Sequence, residues 1–414
     1  MSIAEDNEIL TRVGPGTPMG DLFRRYWIPA LLSEELPEPD CAPVRVKLLN
    51  EDLVAFRDSN GRVGLLGEYC SHRRASLFYG RVENCSITCI YHGWQYDVEG
   101  TVLDIPAEPE TSRLKDTIQH TSYPCEERNG VVLTYMGPKE KTPLVPNLPW
   151  FTLPRDHVVV GSKLFLECNW LQALEGDNDS IHSAYLHRRI SGEDNPMAQA
   201  RRRPARVAID RLPWGVRAAT IYPYDDTQEM VRTNTFLMPC IGNTPRGDSP
   251  NGYNEAVHTI YQVPADDYTN WRYDFEVWWD KSVDDSYAQS DRAEVGPDFM
   301  SYYTRANHYQ LSREEQKSGD YWCGVAARNH TQDKMVTESM GAISDRTQEN
   351  LGASDMHIIA MRRFMLEAVR TMAEGGDPPG LAWTSEENQF HDYPYMITSV
   401  LPTGADWKQC LPKV

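Results

Sequence analysis

The sequence predicts an α+β fold in two parts, a small all-β domain followed by a larger domain that mixes strands and helices. Three observations carry this. Between residues 44 and 137 the chain consists of short apolar or alternating runs, VRVKLLN, LVAFRD, VGLLGEYC, ITCIYHGWQYD and GVVLTYMG, broken by the turn signals DSNGR at 58–62 and ERNG at 127–130. Beyond residue 150, strand-like pieces (HVVVGSKLFLEC, VRAATIYPY, RYDFEVWW) mix with helical stretches. Finally, 414 residues exceed one ordinary core, and a hydrophobic content of 40% can fill two.

Taken in order, the turn-forming GPGTPMG precedes Leu22, Phe23, Tyr26 and Trp27, whose spacing suits a short amphipathic helix. Residues 1–40 are therefore read as a helical segment packing on the larger domain. The β domain occupies 41–140, the proline-rich KEKTPLVPNLPW at 139–150 is a linker, and 141–414 form the second domain. Its clearest helix spans 355–375, where Ile358, Met361, Met365, Ala368 and Met372 recur at helical steps and form a core-facing stripe. No repeat or low-complexity tract interrupts this order.

Charge and cysteine use bound the setting. The net charge of −19 argues against nucleic acid or an anionic membrane as partner. The basic run RRRPAR at 201–206 is read as a solvated face, with steering of an acidic substrate or redox partner as its functional alternative. No apolar run approaches the roughly 18 residues of a membrane span, and MSIAEDNEIL is acidic where a signal peptide is basic, so a cytoplasmic location is expected. Nine cysteines, an odd number, do not form a secreted disulfide framework, and clustered ones point to metal.

Such a cluster lies in CSHRRASLFYGRVENCSITCIYHGW, residues 70–94. Cys70-x-His72 and Cys89-x-x-His92, with 16 residues between them, each end a strand-like run and lead into a loop. A tetrahedral zinc with two Cys and two His competes with a two-iron, two-sulfur cluster held by Cys on one iron and His on the other. Zinc modules pair like with like, whereas one Cys and one His from each loop is the Rieske arrangement. Gly93 lets the second loop turn, Trp94 shields the cluster from water, and Cys85, out of register, is read as a free thiol.

A second constellation lies in NWLQALEGDNDSIHSAYLH, 169–187. On a helix Asp179 and His182 share a face, but His182 and His187 diverge by about 140°. A π-bulge or helix break would bring them together, and with a distant carboxylate they would form the 2-His-1-carboxylate triad of non-haem iron(II).

With both constellations in place, the chain resembles the catalytic (alpha) subunit of Rieske non-haem iron aromatic ring-hydroxylating oxygenases. The match covers Cys70-x-His72, Cys89-x-x-His92, the EGDNDSIHSAYLH segment and the domain order, and RNHTQDKMVTESMGAISDRTQENLGASD at 328–355 is similar to the phthalate-dioxygenase-like group. Ser71 departs from relatives that carry Pro there. The resemblance implies a Rieske iron–sulfur domain, then a catalytic domain with an antiparallel sheet flanked by helices. The implied cofactors are a [2Fe-2S] cluster and Fe(II).

The resemblance also places the third iron ligand well past the second histidine. Asp333 in TQDKMVTES, 146 residues after His187, fits, with Asp345 and Glu338 as rivals. Asp333 is favoured because this stretch reads as the start of a helix. Asp179 is implied to bridge an iron ligand to a Rieske histidine of a neighbouring subunit, in a homotrimer or dimer of trimers. Electrons would come from an NAD(P)H-dependent flavin/iron–sulfur reductase, and O2 would hydroxylate a small aromatic substrate. An aromatic carboxylate such as a phthalate or benzoate is expected, with Ser180, Arg206, Arg232 and Arg246 as candidate contacts and Arg246 on a possible lid. O-demethylation or aryl-ether cleavage on the same scaffold is the enzymatic alternative, and a Rieske electron carrier without oxygenase chemistry is the non-enzymatic one.

Overall fold

The computed structural model describes residues 2–192, 194–246, 253–283, 289, 292–390 and 395–411. The chain divides into two compact units, Val13–Val145 and Met1–Arg12 with Pro146–Val414. The first unit thus begins well before residue 41. The helix Pro18–Phe23, capped by Thr17, stops short of Trp27, which instead opens a strand, Trp27–Leu32, antiparallel to Val131–Tyr135. Arg24 ties this stretch down, donating to the carbonyls of Val13 (3.1 Å) and Leu49 (3.1 Å) and pairing with Glu51 at 2.7 Å. Only the helix Ile3–Thr11 belongs with the larger unit, where Asn169 donates to the Thr11 carbonyl at 3.0 Å and Arg346 to Asn7 at 2.8 Å.

The first unit is built from three small antiparallel sheets. Both turn signals act as the residues dictate. Asp58 accepts from the Asn60 and Arg62 amides between Glu51–Arg57 and Val63–Gly67, and Asn129 and Gly130, both at positive φ, close a two-residue hairpin between Cys125–Arg128 and Val131–Tyr135. Asn84 and Cys85, also at positive φ, close another between Arg81–Glu83 and Ser86–Thr88. This places Cys85 in the turn at the opposite end of Ser86–Thr88 from Cys89.

The larger unit is organised on an eight-stranded antiparallel sheet. Its order is Val158–Leu166, Asn270–Trp278, Ala256–Pro264, Ile241–Arg246, Gln228–Leu237, Gly215–Pro223 and Arg206–Leu212, with Thr398–Pro402 also paired to Gln228–Leu237. The pleat sorts the side chains. In NWRYDFEVW, Tyr273 and Phe275 turn to one face, Tyr273 opposite Tyr261 across the strands and Phe275 against Tyr261, Trp150 and Phe151 in an aromatic core, where Trp150 donates to the Tyr261 hydroxyl at 2.9 Å. Arg272, Asp274 and Glu276 turn to the other face and are equally buried, at 2–3% exposure, so this second face is a built polar wall.

Helices cover that wall in part. Trp170–Asn178 packs on Ile241–Arg246 and Ala256–Pro264, Asn329–Ser339 packs on Trp170–Asn178, and Met356–Ala373 lies on the strands at the far end. Gly242 permits the close approach of the first of these, since a Cβ there would meet the Asp177 Cβ at 2.9 Å. Of the expected stripe on the long helix, Met361, Met365 and Ala368 are buried and Ile358 nearly so, while Met372, in the last turn, is half-buried.

Candidate metal centres

In the smaller unit, two loops bring Cys70, His72, Cys89 and His92 together. The first is closed by Cys70 N–H to the Ala75 carbonyl (2.9 Å) and Arg74 N–H to the Cys70 carbonyl (3.0 Å); the second by Cys89 N–H to the Trp94 carbonyl (2.8 Å) and Gly93 N–H to the Cys89 carbonyl (2.9 Å). Gly93 sits at φ +75°, and a Cβ there would strike Pro106 at 2.8 Å. The thiols are buried while His72 is exposed, and the two imidazoles turn their Nδ1 atoms toward each other at 3.1 Å. Trp94 stacks flat on His72, with ring centroids 5.0 Å apart.

This donor set fits an iron–sulfur cluster. Burial raises the Cys70 thiol, with Cys89 beside it adding to the effect, so a cation is needed to hold it as the thiolate. Burial, His72 and Arg73 lower the His92 imidazole, which favours the neutral ligand form. Two neighbours were not foreseen. The Tyr96 hydroxyl lies 3.0 Å from Cys70 Sγ and accepts from Ser71 N–H at 3.1 Å, and the Ser71 hydroxyl meets His120 Nδ1 at 2.7 Å. Ser71 is therefore part of the cluster surroundings, a role its side chain, unlike proline, can fill.

In the larger unit the helix Trp170–Asn178 ends where the histidine spacing requires a break. Asp179 leaves the helical region (ψ 117°), and its carboxylate accepts from Ile181 N–H (2.7 Å) and His182 N–H (3.2 Å), turning the chain into a short 3-10 segment, His182–Ala184. The imidazoles then converge, with their Nε2 atoms 3.3 Å apart. Asp333 completes the group, its Oδ1 lying 3.4 Å from His182 Nε2 and 3.1 Å from His187 Nε2. Asp333 sits inside its helix, which begins at Asn329, rather than at its start.

The rivals are engaged elsewhere. Asp345 is exposed and caps a turn by accepting from Thr347 (N–H at 3.1 Å, Oγ1 at 2.6 Å). Glu338 is fully buried in an ion pair with Lys334 and accepts from the Tyr309 hydroxyl and the Glu167 amide, both at 2.6 Å.

The electrostatics suit a cation at the meeting point of the three side chains. Burial opposes charge on His182, yet Asp179 and Asp333 raise it to about 10. Asp333, despite burial, is held well below the carboxylate range by His187 and His182. A divalent ion would occupy the place of the proton these groups otherwise share, and two imidazoles with one carboxylate is an iron(II) set that leaves coordination positions open.

The three side chains line a cavity of about 480 Å³ whose wall is the polar face of the sheet. Period two puts Arg232 with Asn234, Thr244 with Arg246, His258 with Ile260 and Arg272 with Asp274 along it. Arg272 bonds Asp177 (2.9 Å) and Asp274 (2.9 Å), and His258 Nε2 lies 2.6 Å from Asp274. Burial lifts Asp177 to about 6.

The substrate candidates separate here. Arg206 is exposed on the edge strand and pairs with Glu229 at 3.0 Å, because the outermost strand turns it to solvent. Ser180 is buried and gives its hydroxyl to Asn234, which faces the cavity in its place. Arg246 lines the cavity but is neutralised by Glu276 at 3.0 Å. Its expected lid, 247–252, lies outside the described residues. Arg232 lines the cavity with a 3.4 Å bond to the Thr398 hydroxyl and no carboxylate among the described residues; burial with the Arg201 and Arg246 cations pulls it down to about 9.

Comparisons with known proteins agree with this architecture. Residues 26–124 match the Rieske [2Fe-2S] domain family, and residues 134–412 match the family described as LigXa C-terminal domain like. The chain is 37% identical to the phthalate 4,5-dioxygenase oxygenase subunit of Pseudomonas putida, over 91% of this chain and 88% of that protein. It is 34% identical to the 3-chlorobenzoate-3,4-dioxygenase oxygenase subunit of Comamonas testosteroni, over 99% and 97%. The solved structure of Pseudomonas putida CBB5 NdmA QL mutant with caffeine shares the fold, with a TM-score of 0.63 at 21% identity, over 86% of this chain and 94% of that one. A Rieske domain joined to a catalytic domain of this kind, with relatives at such identity over nearly the full length, makes the chain a member of the Rieske non-haem iron ring-hydroxylating oxygenases, an oxygenase subunit of the phthalate-dioxygenase-like group that uses a [2Fe-2S] cluster and Fe(II).

Proposed function

We propose that this subunit hydroxylates the ring of an aromatic carboxylate, a phthalate or substituted benzoate, and that Arg232 anchors the carboxylate. The observation that carries the reading is a half-buried guanidinium without a carboxylate partner among the described residues, in the same cavity as His182, His187 and Asp333. A charged substrate group would relieve the mutual repulsion of Arg232, Arg201 and Arg246. In this assignment Cys70, Cys89, His72 and His92 hold the cluster, and His182, His187 and Asp333 hold the iron. When bound, the cluster supplies single electrons and the ferrous ion a site for O2 chemistry. Around them the protein binds the carboxylate at Arg232, turns the ring toward the iron ligands, and limits water through the sheet wall and helices.

The test compares an aromatic acid with its carboxamide, following oxygen-18 from O2 into product. The acid should be turned over with both ring hydroxyl oxygens labelled, and Arg232→Gln should raise its KM about 10- to 100-fold, the scale of one lost charge-assisted hydrogen bond, with little change for the amide. Equal handling of acid and amide by the wild type sinks the proposal. Formaldehyde release from methoxylated substrates without ring hydroxylation would mark O-demethylation instead.

The electron donor in this proposal is an NAD(P)H-dependent flavin/iron–sulfur reductase, and the assembly is a cytoplasmic homotrimer or dimer of trimers. Asp179 then links the iron site to a neighbour's cluster. Its carboxylate lies 3.6 Å from His182 Nδ1, within ion-pair range of that ring. Asp179→Asn keeps one oxygen for the turn but loses the charge. It should leave both metals populated and cut turnover about 10-fold or more. Single-turnover reoxidation of the reduced cluster at the wild-type rate would leave Asp179 only its turn-capping role.

A further inference from the structure

We infer that Gln332 is a positioning residue for the iron site, fixing the ligand tautomer of His187 and tying that ligand to the cavity wall. Gln332 precedes Asp333 on the same helix and is 2% exposed. Its carboxamide orientation is determined by its partners. Nε2 donates to the Val325 carbonyl at 3.0 Å and to the Ala327 carbonyl at 3.2 Å, and a carbonyl oxygen can only accept. Oε1 is thereby turned to His187 Nδ1 at 2.8 Å, so Nδ1 must carry the hydrogen, and in the neutral ring Nε2 is left with its lone pair. That Nε2 faces His182 and Asp333. Consecutive residues of one helix therefore address the two nitrogens of one imidazole.

The two histidines are held differently. His182 Nδ1 faces the carboxylate of Asp179, whereas His187 Nδ1 meets a neutral amide at shorter range. An amide fixes the ring without adding a negative charge to a cavity already lined by Asp177, Asp179, Asp274, Glu294 and Asp333. Because the same amide holds the carbonyls of Val325 and Ala327, and Ala327 lines the cavity, ring orientation and wall position are set by one side chain.

The inference rests on His187 being an iron ligand, and the experiment separates the two claims. The full chain, with its cluster kept and its mononuclear iron removed, is titrated with ferrous ion against a chromophoric chelator, for the wild type, Gln332→Met, Gln332→Glu and His187→Ala. Gln332→Met removes the acceptor and should bind ferrous ion about 10- to 100-fold more weakly. Gln332→Glu keeps an acceptor for His187 but loses both N–H donors to the wall, and should bind at wild-type strength or tighter. Equal weakening of both variants would mean that Gln332 only tethers the wall, and unchanged binding in both would mean that it does neither. Either result overturns the inference while His187→Ala still loses the iron. Retention of iron by His187→Ala overturns the ligand assignment itself. If Gln332→Met fails to fold, as judged by thermal unfolding, Gln332→Asn takes its place: its carbonyl sits one methylene short of His187, so it should also weaken ferrous binding, and wild-type binding by Gln332→Asn overturns the inference.

Discussion

Replacing Cys89 by alanine, or His72 by alanine, is expected to abolish turnover and erase the visible absorption of the cluster while the larger unit keeps its fold and its mononuclear iron. The expectation follows from where these side chains lie. Cys89 is 2% exposed and shares a core with Val54, Phe56, Leu66, Cys70, Trp94 and Tyr96, so alanine leaves a small apolar side chain in an apolar place and disturbs packing little. What it removes is a thiolate that nothing nearby can replace. Cys85 is held at the far end of a hairpin, its amide donating to Ser59 at 2.9 Å, and cannot swing into the loop. His72→Ala likewise removes an imidazole stacked on Trp94 at an exposed loop and costs the core nothing. The measurement is the visible spectrum with acid-labile sulfide and total iron, alongside thermal unfolding. A variant that retains the cluster spectrum would refute the ligand assignment. One that lost the iron of the larger unit as well would contradict the division into separate units.

Much of this was legible in the sequence because metal sites demand residue types at spacings that chance seldom supplies. The five-residue step between His182 and His187 is an instance in which a conflict carried the information. An unbroken helix would have splayed the rings, and the chain breaks at Asp179, whose side chain accepts from the next two free amides. The polar wall also left a trace in RYDFEVWW, where charged and aromatic residues alternate strictly, yet such alternation normally marks a strand with one face in water. Here both faces are buried, and only the covering helices reveal that the charged one encloses a cavity. Direction is what the sequence withheld. Arg206 and Arg232 are both strand arginines, but one lies on an edge strand and the other inside the sheet, beside Thr398, which is 166 residues away in the chain. Gln332 was hidden for a similar reason, since its partners, His187 and the carbonyls of Val325 and Ala327, are fixed only once the helix is docked.

Asp333→Ala is expected to deplete the mononuclear iron alone, reducing turnover to background while the cluster spectrum and the melting transition stay close to wild type. The carboxylate is the only anion among the three converging side chains, and removing it takes away both a ligand and the charge that offsets a divalent ion between two imidazoles. Little of the fold depends on it. Among the described residues its ion pairs are with His182 and His187, so its loss relaxes a charged cluster instead of opening the core. The rivals give different signatures. Glu338→Ala would strand the buried Lys334 ammonium without its counter-ion, at a cost of about 3–5 kcal/mol, and lower the melting transition and every activity together. Asp345→Ala removes only an exposed turn cap and should leave metal content and turnover intact. Iron analysis with the cluster absorption as internal standard distinguishes the three. Selective iron loss in Asp345→Ala with full iron in Asp333→Ala would move the third ligand. Asp333→Asn, which keeps the shape but not the charge, should fall with Asp333→Ala in iron content, because a neutral amide cannot balance the ion that the two imidazoles leave uncompensated.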